Sequence, residues 1–231
     1  MFKPLDKFII GEGIDLCVPT EEFALKSNWY KWFNNKQTTR YLDQGLYENT
    51  PEKQLEFLKM AKDRLILIIF DKKNYVGVVN LSMMNFDKRT CDIAVVTGGD
   101  KLNIANSMFN ALEAMSLIMD HGFTKLGFKK ITAGLHVELS SWQQRLELIG
   151  FKLEGYYKNG FIKGNERADS ISISCLYEDY QELCNKRGKL WDSKEKMLKR
   201  ILQLPKVKMV DKLKKFNEEQ RDVYYERVFE L

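Results

Sequence analysis

Histidine is scarce and cysteine does not cluster. The chain has 2 His and 4 Cys in 231 residues, and no two cysteines stand in a CxxC spacing. Cys17, Cys91, Cys175 and Cys184, with His121 and His136, do not compose the ligand set of a structural zinc site, so no metal is expected. The thiols read as reduced and mostly buried. No apolar run approaches the ~18 residues that a bilayer span needs. The longest, Leu65 to Phe70, has the length of a strand. The first residues, Met-Phe-Lys-Pro-Leu-Asp-Lys, lack the apolar stretch of a signal peptide, and the expected location is cytoplasmic. Internal repeats and low-complexity segments are missing too. What is present is a globular composition. Apolar residues make up 44% and aromatics 12%, too rich for a disordered chain and enough for a core. The length suits one ordinary domain with an extension, or two small domains.

Charge is unevenly spread. Residues 186–231 hold 14 Lys and Arg against 8 Asp and Glu, and the preceding residues hold 23 against 24, so a nearly neutral body carries a basic tail. Such a tail can meet nucleic acid or an acidic membrane surface. The preferred reading is the solvated face of amphipathic helices, with no nucleic-acid partner.

The hydrophobic pattern predicts a strand over Ile14–Val18, then a helix start at Pro19-Thr20-Glu21-Glu22, a cap followed by acids that suit the helix dipole. That helix carries Phe23, Leu25, Trp29, Trp32 and Phe33 and ends at Asn34-Asn35. A turn through Arg40-Tyr41-Leu42 precedes a second helix opened by Thr50-Pro51-Glu52. Three strands follow, Leu65–Phe70, Tyr75–Met83 and Cys91–Val96, separated by turns and read as an antiparallel meander. Met108, Leu112, Met115 and Ile118 then recur at helical spacing, giving a long helix from Ile104 to about Phe123. Lys129–Val137 is a strand, Ser140–Leu148 a short helix stopped by Gly150, and Phe151–Tyr157 and Ser170–Leu176 are strands. The order implies a mixed α/β sheet, antiparallel in its front half, with at least one β-α-β crossover. In the tail, Asp192-Ser193-Lys194-Glu195 reads as a capping box before Met197, Leu198, Ile201 and Leu202. After Pro205 a second helix carries Val210, Leu213, Phe216, Val223 and Val228. Each narrow stripe must bury against the body or against a second copy of the chain, making a homodimer through these helices one expectation.

Four stretches carry a resemblance. Trp29-Tyr30-Lys31-Trp32-Phe33-Asn34-Asn35 with Arg40-Tyr41-Leu42, Cys91–Val96, Leu126-Gly127-Phe128-Lys129-Lys130-Ile131 and Glu147–Gly155 together resemble the GNAT superfamily of acyl-CoA N-acyltransferases over roughly residues 8 to 180. The subgroups it is most similar to are ribosomal-protein N-terminal and amino-sugar-nucleotide N-acetyltransferases. The resemblance implies a GNAT-like mixed, mostly antiparallel sheet flanked by helices over residues 1–180, with a C-terminal helical extension over 181–231. It implies acetyl-CoA as acyl donor and a small-molecule primary amine as acceptor, an amino sugar first among them. A protein N-terminus, another small amine, or a non-catalytic module on the same scaffold are the competing expectations.

Such chemistry needs a neutral amine, donors for a tetrahedral oxyanion and amide groups for the donor's diphosphate. The resemblance assigns the donor site to Val95 and Val96 and to the start of the long helix, Lys101, Asn103, Ala105, Asn106 and Ser107. Here the chain departs from the family's glycine-rich loop. In one alignment Asn103 replaces the first glycine and Ala105 fits the last position. In the other, Ser107–Ala111 stands there with no glycine, and Gly98-Gly99 lie just upstream. The family's helix tyrosine, which protonates the leaving thiolate, is matched by Leu146, and its strand-end asparagine by a position near Leu139. The substitutes are His136 and Glu138, read as lying on the same side of one strand, and Asp92, which stands at the family's frequent strand-four Glu. Tyr156 and Tyr157 serve only if the sheet turns them inward. Trp29, Trp32 and Tyr41 are expected to wall the acceptor pocket, with Asn34 as polar contact, although packing of the first helix on the sheet explains at least two of the aromatics. The 159–164 loop and Asp169 resemble the late hairpin that closes over the acceptor.

Overall fold

The computed structural model describes residues 2–98 and 104–229. Among these, eight strands form one sheet: β1 (Lys7–Ile10), β2 (Asp15–Cys17), β3 (Leu65–Phe70), β4 (Tyr75–Asn85), β5 (Thr90–Thr97), β6 (Lys130–His136), β7 (Lys152–Lys163) and β8 (Glu166–Leu176). The spatial order is β1-β2-β3-β4-β5-β6-β8-β7. Every neighbouring pair is antiparallel except β5 and β6, which are parallel. The expected meander and crossover are therefore present. The continuous apolar run of β3 feeds both faces: Leu67 and Ile69 enter one core cluster, Ile66 and Ile68 the other. The edge strand β1 has no sequence signature because Phe8 and Ile10 stay exposed and no period-two burial marks it.

The helices segregate by face. One face carries α1 (Glu21–Lys26), α2 (Trp29–Trp32), α3 (Lys36–Thr39) and α4 (Pro51–Met60). The single helix expected from Thr20 to Phe33 is broken at Ser27-Asn28, where the Ser27 amide still donates to the Phe23 carbonyl (3.0 Å) and its Oγ accepts the Trp29 amide (3.1 Å). A serine side chain offers the backbone a partner outside the helix and so ends it. Thr20 and Thr50 cap α1 and α4 as expected, their Oγ1 atoms accepting the amides of Phe23 and Lys53.

The other face carries α5 (Ile104–Thr124), α6 (Ser140–Leu146), α7 (Tyr177–Arg187) and α8 (Lys194–Leu202), followed in the chain by α9 (Met209–Phe229). A 3-10 turn extends α6 to Ile149, and Gly150, at φ 99°, takes the left-handed conformation that stops it. The expected boundary between residues 180 and 181 falls inside α7, whose sequence shows little amphipathic pattern. Leu190, Trp191, Met197 and Val210 belong to the same core as Ile93, Leu112 and Ile131. The tail is thus packed on the body. All four cysteines are free, and Cys17, Cys91 and Cys175 are buried. Among the described residues no helix is long and apolar enough to cross a membrane.

The cap of α8 is Ser193, whose Oγ accepts the Lys196 amide (3.2 Å). Asp192, expected in that role, instead takes the Arg200 guanidinium on both oxygens (2.7 and 2.6 Å). Arg200 holds the Asp192 carboxyl down at about 2, against an ordinary 3.8. A depressed acid contributes stability above its unfolded value and loses it as pH falls through its folded value. Asp192→Asn is expected to cost about 2 kcal/mol near neutral pH. In thermal melts its difference from wild type should shrink from below pH ~4 toward ~2, and a difference constant across that window would contradict the pairing.

Candidate active site

Strands β5 and β6 pair only through Thr90↔Lys130, Cys91↔Ile131 and Asp92↔Thr132. Beyond that they part. β5 stays on β4 as far as Thr97↔Gly77, and the Gly98 amide adds a bond to the Val76 carbonyl (2.9 Å). β6 stays on β8 as far as His136↔Ser170. The edge of β5 from Ile93 to Thr97 therefore carries backbone donors and acceptors with no strand opposite. Trp32, expected to wall an acceptor pocket, is packed against Gly98, where any Cβ would collide with its side chain. It fixes the end of β5. α5 begins just past that end, and Ser107 Oγ and Thr97 Oγ1 are 2.8 Å apart.

A cavity of about 480 Å³ opens on the face opposite α5. Its floor is Ala94 and Val96 of β5 with Val78, Asn80 and Ser82 of β4; Trp29, Phe33, Phe57 and Arg64 form walls, and residues 42–49 the roof. The roof is pinned at three places. The Asn34 side-chain amide donates to the Asn49 carbonyl and accepts its amide, both at 2.7 Å. Asn49 Nδ2 donates to Gln54 Oε1 (2.9 Å), a buried side chain. Lys163, at the tip of the β7–β8 hairpin, donates from Nζ to the carbonyls of Thr39 (2.6 Å), Leu42 (2.9 Å) and Gln44 (2.6 Å). Three acceptors match the three protons of an ammonium. Asn34, expected to touch the acceptor, is spent on the roof. Trp29 lines the cavity while being 1% exposed.

The three expected proton handlers are not brought together. Asp92 sits where β5 and β6 part and accepts the Thr132 hydroxyl; Ser82 of the cavity floor lies opposite it in register. His136 lies four residues along β6 from Thr132, about 13 Å away at strand rise. Its ring packs between Tyr41 and Phe161, each at 4.7 Å between centroids. The strand ends at His136 and a 3-10 turn begins, so Glu138 is not a same-side strand neighbour; its amide donates to His136 Nδ1 (3.1 Å). That bond occupies the Nδ1 lone pair and leaves the ring proton on Nε2, which faces Glu166 at 3.9 Å. His136, Glu138 and Tyr41 line a second cavity of about 510 Å³, apart from the first. Tyr156 donates to Asp169, and burial with that carboxylate pushes its phenol up, which makes it a poor acid. Tyr157 is exposed.

Of the expected donor-site residues, Val96 lines the cavity and Val95 packs toward α5. Ser107 is tied to Thr97 and Asn106 Oδ1 accepts Lys194 Nζ (3.3 Å). Lys101 and Asn103 lie outside the described residues, and of Ala105 only the helical backbone is described. Sequence reasoning missed Asn80, Ser82 and Arg64; Lys163 stood in the 159–164 hairpin expected to close over the acceptor, but not as the group that pins the roof. The first two had a signal: Val78-x-Asn80-x-Ser82 puts polar groups at alternate positions of an otherwise apolar strand. Among the described residues no group of three His, Cys, Asp or Glu is placed to hold a metal ion.

No family model matches the chain. A curated relative, the uncharacterized N-acetyltransferase YnaD of Bacillus subtilis (strain 168), is 25% identical over 166 residues, 69% of this chain and 93% of the relative. Among solved structures, spermidine N-acetyltransferase from Vibrio cholerae in complex with CoA and spermine superposes with a TM-score of 0.64 at 18% identity, over 73% of this chain and 98% of that one. The microcin C7 self immunity acetyltransferase MccE, in complex with acetyl-CoA and AMP, gives 0.60 at 18% identity, over 72% and 93%. A probable GNAT-family acetyltransferase from Chromobacterium violaceum gives 0.63 at 16% identity, over 78% and 96%.

Lys163→Met leaves three roof carbonyls without their donor. It is expected to destabilise the fold by about 1–3 kcal/mol and to speed hydrogen exchange across residues 39–49 before the rest. Uniform exchange changes, or none, would contradict the pinning.

Proposed function

The chain carries the GNAT fold, and from that premise we propose that it is an acetyl-CoA-dependent N-acetyltransferase whose acceptor is a small primary amine. The observation that carries the proposal is the double duty of β5: the stretch that lines the cavity with Ala94 and Val96 is the stretch whose other edge is left free by β6. A pantothenate arm laid along that edge has backbone groups to pair with, and its thioester arrives beside the cavity. Backbone amides at the free edge then serve the tetrahedral oxyanion without reorganisation. The amine must lose a proton before or during attack. Asp92, on the cavity face beside Ser82 in register, is the group we assign to accept it through water. Neither Leu146, buried in the core, nor Tyr156, committed to Asp169, serves as the acid for the leaving thiolate.

Asp43 at the roof suits a cationic amine, Glu48 being paired with Lys53 (2.6 Å), and the amine named for the Vibrio cholerae relative supports that class. A nucleotide-linked amino sugar is the second reading. It is favoured by the aromatic lining of Phe33 and Tyr47 and by the Arg64 guanidinium, held over the Phe57 ring (5.6 Å), which together suit a sugar or base and a phosphate. Pairing of two copies through the tail is proposed on the exposed Leu198, Leu202, Met209 and Phe216 alone; a monomer in sedimentation removes it.

Thiol release from acetyl-CoA is expected with amine acceptors, and a panel of diamines, polyamines and nucleotide-linked amino sugars separates the two readings. Turnover with peptides alone would overturn both. Asp92→Asn is expected to lower kcat about 10²-fold with acetyl-CoA affinity unchanged; an unchanged kcat would remove Asp92 from the proton path.

A further inference from the structure

The tail crosses from one side of the parted strands to the other. Its first anchor is on α5: Lys194 Nζ donates to Asn106 Oδ1 at 3.3 Å and lies 5.4 Å above the Phe109 ring. Its second is on α6: Lys208 Nζ donates to Ser140 Oγ (3.0 Å), and Gln144 Nε2 donates to the Pro205 carbonyl (2.7 Å). α5 follows β5 and α6 follows β6, so these anchors sit at the two tips of the opening that the parted strands leave. Between them α8 is held down by Met197, which is fully buried.

Some cations of this segment are paired with acids and others are not; Arg187, for one, donates to the Leu148 carbonyl (2.6 Å). Lys186, Lys196, Lys199 and Arg200 each have a carboxylate partner, in Glu182, Asp192, Glu195 and Asp192. The ammonium groups of Lys194 and Lys208 contact only neutral groups, and among the described residues neither ammonium has a carboxylate within ion-pair distance, although the Lys194 backbone amide donates to Glu12 Oε2 (2.9 Å). No acid stands in the first turn of α5 or of α6. Glu12 is taken by the Lys194 amide and Trp191 Nε1, so two ammonium groups held in place without an ion pair stand at the mouth of a groove read as the donor's, where they suit an anion. The sequence adds a reason. Residues 100–105, Asp-Lys-Leu-Asn-Ile-Ala, contain no glycine, and the two that stand just upstream, Gly98 and Gly99, do not reproduce the spacing of the family's glycine-rich loop.

We propose that the tail completes the donor site: Lys194 and Lys208 bind the phosphate groups of acyl-coenzyme A and take over the anion-holding work of a glycine-rich loop. The inference rests on the acetyltransferase reading above. It assigns the basic extension a ligand within the same molecule, and it makes the tail part of the enzyme.

The test is calorimetric titration of the full chain with CoA and with S-acetylpantetheine, which keeps the thioester arm and lacks the phosphates of the nucleotide. Lys194→Met/Lys208→Met is expected to weaken CoA binding about tenfold or more, to leave S-acetylpantetheine binding unchanged, and to flatten the salt dependence of CoA affinity. Lys194→Arg/Lys208→Arg keeps the charge and should retain wild-type affinity, which separates a lost ion contact from a misfolded tail. Unchanged or tighter CoA binding by the Met pair would overturn the proposal, the tighter result meaning that the tail blocks the groove. Equal weakening toward both ligands would also overturn it. Failure of the wild-type chain to bind CoA at millimolar concentration would overturn the acetyltransferase reading itself.

Discussion

The site depends on one register. β5 and β6 share three residue pairs and then separate, because each is held more extensively by its other neighbour, β5 by β4 and β6 by β8. A parallel pair is the weaker kind of ladder, and here it is the one that yields. The separation leaves a row of backbone groups on β5 unpaired beside a cavity floored by the same strand. Trp32 on Gly98 and the Gly98 amide on Val76 keep the free end of β5 from drifting toward β6.

The chain spends several polar side chains on holding backbone. Asn34 fixes Asn49, Lys163 gathers the carbonyls of Thr39, Leu42 and Gln44, and Glu113, buried under the β1–β2 turn, takes the Gly13 amide at 3.0 and 3.2 Å. The carboxyl of Glu113 is pushed up by its burial, partly offset by those amides. Such groups place loops; they do not face the reaction. What remains for chemistry is small: the free edge of β5, Asp92 at the crotch, and the polar pair Asn80 and Ser82.

The fold was legible in the sequence because period-two and period-3.6 burial are strong wherever an element has a buried face. α5 was readable for that reason, β3 and β4 as apolar runs buried on both faces, and Thr20, Thr50 and Gly150 marked helix ends by their own capping chemistry. β1 and α7 were not, since one has exposed apolar residues and the other buries little but Tyr180. Site roles were harder to read. Asn34 and Trp32 have the residue types of a binding pocket, yet their partners are Asn49, fifteen residues on, and Gly98, far along the chain. His136 has the intrinsic chemistry of a base, but whether its Nδ1 lone pair is free depends on where the Glu138 amide points. Only the three-dimensional register decides these. Lys163 and the paired or unpaired state of the tail lysines belong to the same class, because charge counts along the chain do not say which cation has found a carboxylate.

The central claim is that the unpaired edge of β5 receives the donor. Amide hydrogen exchange of Ile93–Thr97, followed residue by residue with and without acetyl-CoA, tests it most directly. The account requires the amides that point away from β4 to slow markedly on binding, while those bonded to β4 change little. Binding of acetyl-CoA with exchange on β5 unaltered would place the donor elsewhere and contradict it.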